Sequence, residues 1–172
     1  MVKNYLKKAT AGIALLAMSS FASADGHSEI SYSANLGFMS DYIYRGVHQS
    51  SSSAMGGFDI EYGSFYLGTW FADLQEDGWV AGSHRGFEYD VYTGFGFDVT
   101  DSVSAYLGYT IYRYTDKGAA AFDDDYDEVN VGVSFALTED LSLSLDYSNG
   151  ENTLTDQSEV DYDILTTTIE YM

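Results

Sequence analysis

The chain has 172 residues, with 17 Gly and 16 Tyr, no Cys and no Pro, and seven Lys+Arg against 27 Asp+Glu. Without cysteine it holds no disulfide framework and no thiolate metal centre, and a net charge of −20 repels a nucleic-acid backbone. At 45% hydrophobic and 16% aromatic residues it is not a disordered acidic tail, and its length suits a single domain.

Lys3, Lys7 and Lys8 precede a short apolar run over 12–18, Ala22-Ser23-Ala24 supplies small residues, and no acid occurs before Asp25. This order predicts a cleaved secretory signal peptide over 1–24 and a mature domain over 25–172. The apolar run is too short to cross a bilayer as a helix, and no later run approaches the ~20 residues required. A β-barrel instead crosses with strands of about 10 residues that alternate apolar and polar.

Eight such segments follow. In the first, about 30–46, Tyr32, Leu36, Phe38, Tyr42 and Tyr44 share one face, and Ser33, Asn35, Gly37, Asp41 and Arg45 share the other. The second, about 54–62, alternates Phe58, Ile60 and Tyr62 with Gly57, Asp59 and Glu61. The third, about 65–73, sets Phe65, Leu67 and Phe71 against Tyr66, Gly68 and Trp70. The fourth, 87–99, is the most regular, with Phe87, Tyr89, Val91, Phe95 and Phe97 opposite Glu88, Asp90, Tyr92, Gly94 and Gly96.

The fifth, about 103–114, sets Val103, Leu107, Tyr109 and Ile111 against Tyr106, Gly108 and Tyr112. The sixth, 129–137, sets Val129, Val131 and Val133 against Asn130, Gly132 and Ser134. The seventh, 141–148, sets Leu141, Leu143, Leu145 and Tyr147 against Ser142, Ser144 and Asp146. The eighth, about 160–172, changes phase at Ile164-Leu165, which predicts a bulge.

Gly63-Ser64, Thr100-Asp101 and Thr138-Glu139-Asp140 read as tight turns, and 47–53, 74–86, 115–127 and 149–159 as long polar loops. Short and long connections then alternate, as in an outer-membrane barrel with periplasmic turns and extracellular loops. A soluble sandwich or small barrel also alternates, but it spares one face for solvent. Here all eight segments carry an apolar face, and the opposite face, with its carboxylates, would make a poor dry core. The expected fold is therefore all-β, an eight-stranded antiparallel up-and-down transmembrane β-barrel, with the first strand closing on the eighth.

Ser33-Ala34-Asn35-Leu36-Gly37-Phe38, Ser40-Asp41-Tyr42-Ile43-Tyr44-Arg45-Gly46 and Phe65-Tyr66-Leu67-Gly68-Thr69-Trp70 make the chain familiar. With Tyr112-Arg113-Tyr114 and Tyr126-Asp127-Glu128-Val129, the stretch 32–135 resembles the TorF-type porins, a proteobacterial outer-membrane family. That resemblance implies a porin-like protein of the bacterial outer membrane.

An eight-stranded barrel has an interior that side chains can fill. Asp41, Arg45, Asp59, Asp90 and Asp146 are the expected lumen residues, with Glu61, Glu88 and Asp98 nearer the mouths. Arg45, the one inward base, is expected to pair with Asp41 or Asp59, while Arg113 falls on the lipid face near the outer rim. Inward glycines leave room either for water or for Tyr66, Trp70, Tyr92, Tyr106 and Tyr112. The expected function is a small porin-like barrel acting as a narrow cation-favouring channel for ions or small solutes. The alternative is a non-conducting structural or surface-interaction barrel with acidic extracellular loops.

The acidic run 123–128 lacks the ligand-and-glycine order of a calcium loop and reads as a solvated tip, so no metal site is expected. His48, beside serines 50–53, and His84, beside Ser83 and Arg85, show no spacing that defines a Ser/His pair. No catalytic residue, enzymatic activity or cofactor is expected. The expected partners are outer-membrane lipid and lipopolysaccharide, with periplasmic chaperones and the barrel assembly machinery during biogenesis. No nucleic acid is expected, and the chain is expected to be monomeric.

Overall fold

The computed structural model describes residues 30–74, 86–115, 124–155 and 158–171. The expected signal peptide, His27, His84 and most of the stretches 74–86 and 115–127 expected as loops lie outside these residues. Among the described residues eight strands form: β1 (Ile30–Tyr44), β2 (Val47–Tyr62), β3 (Phe65–Leu74), β4 (Gly86–Thr100), β5 (Val103–Tyr114), β6 (Tyr126–Ala136), β7 (Leu141–Thr155) and β8 (Ser158–Tyr171). Each pairs antiparallel with its sequence neighbours, giving one sheet in the order β1 to β8 that curls into a half-barrel.

Among the described residues the expected pairing of the first and eighth strands is not formed, since no ladder joins β8 to β1. The two edges are joined instead by side chains at one end, where the Arg45 guanidinium lies 5.6 Å from the Tyr162 ring. Two stretches expected as loops are strand. Residues 47–53 belong to β2, and most of 149–159 is divided between β7 and β8. The first connection shrinks to Arg45-Gly46, both at positive φ (49° and 80°), the backbone that a two-residue hairpin turn requires. The serines looked like loop by composition, yet Ser50 and Ser53 are buried strand residues. Long and short connections therefore do not alternate strictly.

The burial pattern is inverted relative to a soluble protein. Phe87, Tyr89, Val91, Phe95 and Phe97 of β4 are exposed, as are Leu107 and Tyr109 of β5 and Val129 and Val131 of β6. Near the open edges the exposure rises to 85% at Leu36 and 71% at Leu165. The interior-facing set includes Glu88, Asp90, Glu128, Asn130 and Asn152 together with tyrosines. Period-two alternation produces this division, because successive strand side chains point to opposite faces.

Two phase expectations are corrected. In β1, Met39 packs inward, but so do Tyr42 and Tyr44, so the pleat changes phase between them. β2 shifts alongside, with Ser53 and Ser50 both buried and Ser52 between them at a φ of 76°. Tyr42 and Tyr44 thus leave the apolar face and Asp41 leaves the interior. In β8 the phase is constant: Tyr162 is buried, Ile164 packs with it, and Leu165 and Ile169 are exposed. The β7–β8 ladder has no bulge at Ile164-Leu165; its irregularity lies between Thr153 and Thr155.

Candidate functional site

Six strands bring one polar, aromatic layer together inside the curl, at the end opposite the tight turns of residues 63–64 and 101–102. Tyr42 and Tyr44 come from the end of β1, Trp70 and Ala72 from β3, Tyr112 and Tyr114 from β5, Tyr126 from β6 and Tyr162 from β8. β4 adds Glu88 and Asp90, and β6 adds Glu128 and Asn130. Rings make the first level of packing. Tyr112 stacks on Tyr126 at 4.2 Å between centroids, and Tyr42 meets Trp70 edge-on at 5.6 Å. Such pairs contribute about 0.5–1.5 kcal/mol beyond the area they bury.

The carboxylates are held by a recurring arrangement. Asp59, Gly68 and Tyr92 lie side by side on β2, β3 and β4. Because the middle residue is glycine, the Tyr92 ring lies across it, and its hydroxyl donates to Asp59. Tyr106, Gly132 and Asp146 repeat the row on β5, β6 and β7, with the Tyr106 hydroxyl 2.9 Å from Asp146. Glu128, Gly150 and Tyr162 make a third row on β6, β7 and β8, where the Tyr162 hydroxyl donates to Glu128. Tyr66 likewise fills the space over Gly94 and Gly108. Gly68, Gly94, Gly108, Gly132 and Gly150 therefore make room for tyrosines, whereas Gly37 lies against Met55 and Gly57 against Asn35 and Trp70.

Glu128 is the centre of the layer. It accepts from both arms of the Arg45 guanidinium, one at 3.0 Å, from the Tyr112 hydroxyl at 3.1 Å and from the Asn130 amide at 3.2 Å. An interior carboxylate costs several kcal/mol to bury unless it is paired and hydrogen-bonded, and here both conditions are met. Burial pulls the Arg45 pKa down, but the Glu128 carboxylate pushes it up further, and the net shift is upward. This ion pair replaces the expected pairing of Arg45 with Asp41 or Asp59. Tyr44, whose hydroxyl is 3.1 Å from that of Tyr112, ties the end of β1 to β5 across the interior.

Of the five expected lumen residues, Arg45, Asp59, Asp90 and Asp146 face the interior. Asp41 is corrected: its side chain is 61% exposed and lies 3.8 Å from His48 on the outer surface. Glu88, expected near water at a mouth, is fully buried and accepts from the Tyr114 hydroxyl at 2.9 Å. Asp90 is also fully buried, and neither of its oxygens has a hydrogen-bond partner among the described residues.

The acidic run resolves into separate roles. Asp125 accepts from the Tyr114 backbone amide, Asp127 pairs with Arg113 at 2.8 Å, and Glu128 turns inward. Among the described residues, no three acidic or histidine side chains converge on one point. His48 does meet Ser51 at 3.2 Å, but Ser51 and Asp41 approach the same ring nitrogen. A Ser/His/Asp relay needs the acid on the other nitrogen, so this trio lacks that geometry.

Sequence reasoning missed Glu128, Tyr42, Tyr44 and Tyr162. For Glu128 a signal was present, since it shares the parity of Asn130, Gly132 and Ser134 and extends their face by one residue pair.

Fold and site together define an all-β protein: one curled eight-stranded sheet with a tyrosine–carboxylate layer inside. The chain belongs to the Gcw_chp family, a bacterial family of unknown function, whose family model matches residues 23–171. No curated protein and no solved structure matches it.

Proposed function

We propose that the mature chain is a small porin-type barrel of the bacterial outer membrane whose interior is closed at the loop end, so that it serves as a structural or surface protein. The observation that carries this reading is the inverted burial: exposed Leu107, Val131 and Phe95 outside, buried Glu88, Asp90 and Glu128 inside. Lipid tails are the natural solvent for such an exterior, as in membrane barrels with an apolar band and a polar lumen. A closed barrel removes the two exposed edges, and the side-chain link between Arg45 and Tyr162 already holds β1 and β8 together at one end. The resemblance of residues 32–135 to the TorF-type porins supports the same placement, with a cleaved signal peptide delivering the chain to the assembly machinery.

Side-chain contacts support the closed interior. Tyr44 meets Tyr112 and Arg45 meets Glu128 across the curl, and Tyr42 meets Trp70 over the intervening β2. A second reading, a narrow cation-favouring conduit, is favoured by Asp90, which faces the interior with no hydrogen-bond donor among the described residues. Planar-bilayer recording of the refolded chain separates the two. The closed barrel gives no porin-like conductance, and the conduit gives a cation-selective one that Asp90→Asn removes.

A further inference from the structure

The two arginines among the described residues face opposite ways. Arg45 turns inward to Glu128, whereas Arg113, the penultimate residue of β5, shares the convex face with Leu107, Tyr109 and Ile111. The Arg113 side chain is 32% exposed and is held through a single nitrogen. Its Nη1 donates to the Tyr112 carbonyl at 2.7 Å, the Tyr126 carbonyl at 3.1 Å and the Asp127 carboxylate at 2.8 Å. The second oxygen of Asp127 accepts from the Tyr109 hydroxyl at 2.8 Å, so the carboxylate is itself fixed. Nε and Nη2 of Arg113 make no hydrogen bond to any described residue.

Those two nitrogens make up one edge of the planar guanidinium, and their N–H groups point the same way. Such an edge fits two oxygens of one phosphate, the forked recognition that sets arginine apart from lysine. One arm therefore anchors the side chain, and the edge left over suits an anion. The height of Arg113 on the sheet fits a lipid anion. Arg113 pairs across the ladder with Tyr89, and the next convex pair toward the tight turns is Val91 with Ile111. Leu107 and Val131 continue the apolar face beyond them. An arginine on a lipid-facing surface costs least near the headgroups, where its stem stays in apolar surroundings and its head reaches the polar layer. We propose that Arg113 binds the phosphate of a membrane lipid through Nε and Nη2, with the acyl chains lying along Val91, Ile111 and Leu107. This rests on the outer-membrane reading and adds to it one lipid-binding residue. Asp127 offsets the charge of Arg113, so the selectivity comes from the fixed fork more than from long-range attraction.

Solid-state NMR tests the contact on the mature chain, isotope-labelled at the arginine Cζ and refolded into vesicles of phosphatidylglycerol and phosphatidylcholine in phosphate-free buffer. Dipolar dephasing by the lipid phosphorus nuclei reports a guanidinium carbon against a phosphate. Magnetisation transfer from the lipid acyl protons reports insertion separately. The expected result is dephasing of one arginine carbon, lost in Arg113→Gln and unchanged in Arg85→Gln, with acyl transfer kept in all three proteins. If Arg113→Gln does not refold, Arg113→Lys takes its place, since it keeps the charge and removes both the labelled carbon and the forked edge. Acyl transfer without dephasing, dephasing that survives the loss of Arg113, or dephasing lost with Arg85 overturns this inference alone. Equal dephasing by inorganic phosphate, with the chain in phosphorus-free detergent, marks a soluble-anion site and overturns the lipid assignment. Absence of both signals overturns the membrane placement and this inference with it.

Discussion

Tyr106 reaches across Gly132 to place its hydroxyl 2.9 Å from Asp146, joining β5 to β7 over the strand between them. A Cβ at position 132 would run into the Tyr106 ring and stand 2.5 Å from the Asp146 carboxylate. Overpacking of this kind costs about 1–3 kcal/mol. Gly132→Ala should therefore lower the denaturant midpoint of the refolded protein, while Asp146→Asn, which still offers Tyr106 an acceptor, should cost less. Equal costs would mean that the row is not a packed unit.

Gly94 makes a sharper case, because an added Cβ there meets the Leu107 backbone carbonyl as well as the Tyr66 hydroxyl. Backbone cannot swing aside as a side chain can. Gly94→Ala is expected to cost about 1–3 kcal/mol, and the additional change Tyr66→Phe should recover little of it. Full recovery in the double variant, measured by equilibrium unfolding, would show that the hydroxyl alone was the obstacle.

The ion pair between Arg45 and Glu128 anchors the β1–β2 turn to β6. Arg45 sits in the left-handed region at a φ of 49°, which costs a non-glycine residue roughly 1–2 kcal/mol, and its contacts with Glu128 offset that strain. Arg45→Met leaves a buried carboxylate without its cation and should destabilise by about 3–5 kcal/mol. Arg45→Met combined with Glu128→Gln should cost clearly less than the two single changes added together. A double-mutant cycle with no coupling energy would contradict the pairing.

Much of this architecture was legible in the sequence, and the misses have specific causes. The β4 alternation of Phe87, Tyr89 and Val91 against Glu88 and Asp90 was unambiguous because neither set mixes apolar with charged residues. Tyr42 and Tyr44 misled because tyrosine reads as apolar, while its phenol here seeks carboxylates inside. The shift of phase near Ser52 has no signature in composition, so Asp41 was placed on the wrong face. Serines 50–53 read as loop because serine favours turns, yet inward-facing serines suit a polar interior. Glu128 was counted with the acidic tip, and only the tertiary structure shows Arg45 arriving opposite it. The partners of Arg45 and Asp90 come from strands distant in the chain, which a local period cannot report.

A charge on the convex face distinguishes a lipid-facing surface from a water-facing one. Val131 lies mid-strand and exposed on β6. If lipid covers it, Val131→Arg should cost about 2–4 kcal/mol when folding is measured in bilayers. A water-facing position would tolerate the change to within about 0.5 kcal/mol.

The most direct measurement uses the absence of cysteine from the chain. Single cysteines at Val91, Leu107 and Val131 on the convex face, and at Thr110 and Asn130 inside, can carry spin labels in lipid vesicles. Oxygen, which concentrates in hydrocarbon, should relax the three outer labels far more than a water-soluble nickel reagent does, and the two inner labels should not share that preference. Outer labels relaxed mainly by the aqueous reagent would show that water, not lipid, covers the apolar face, and would contradict the outer-membrane account.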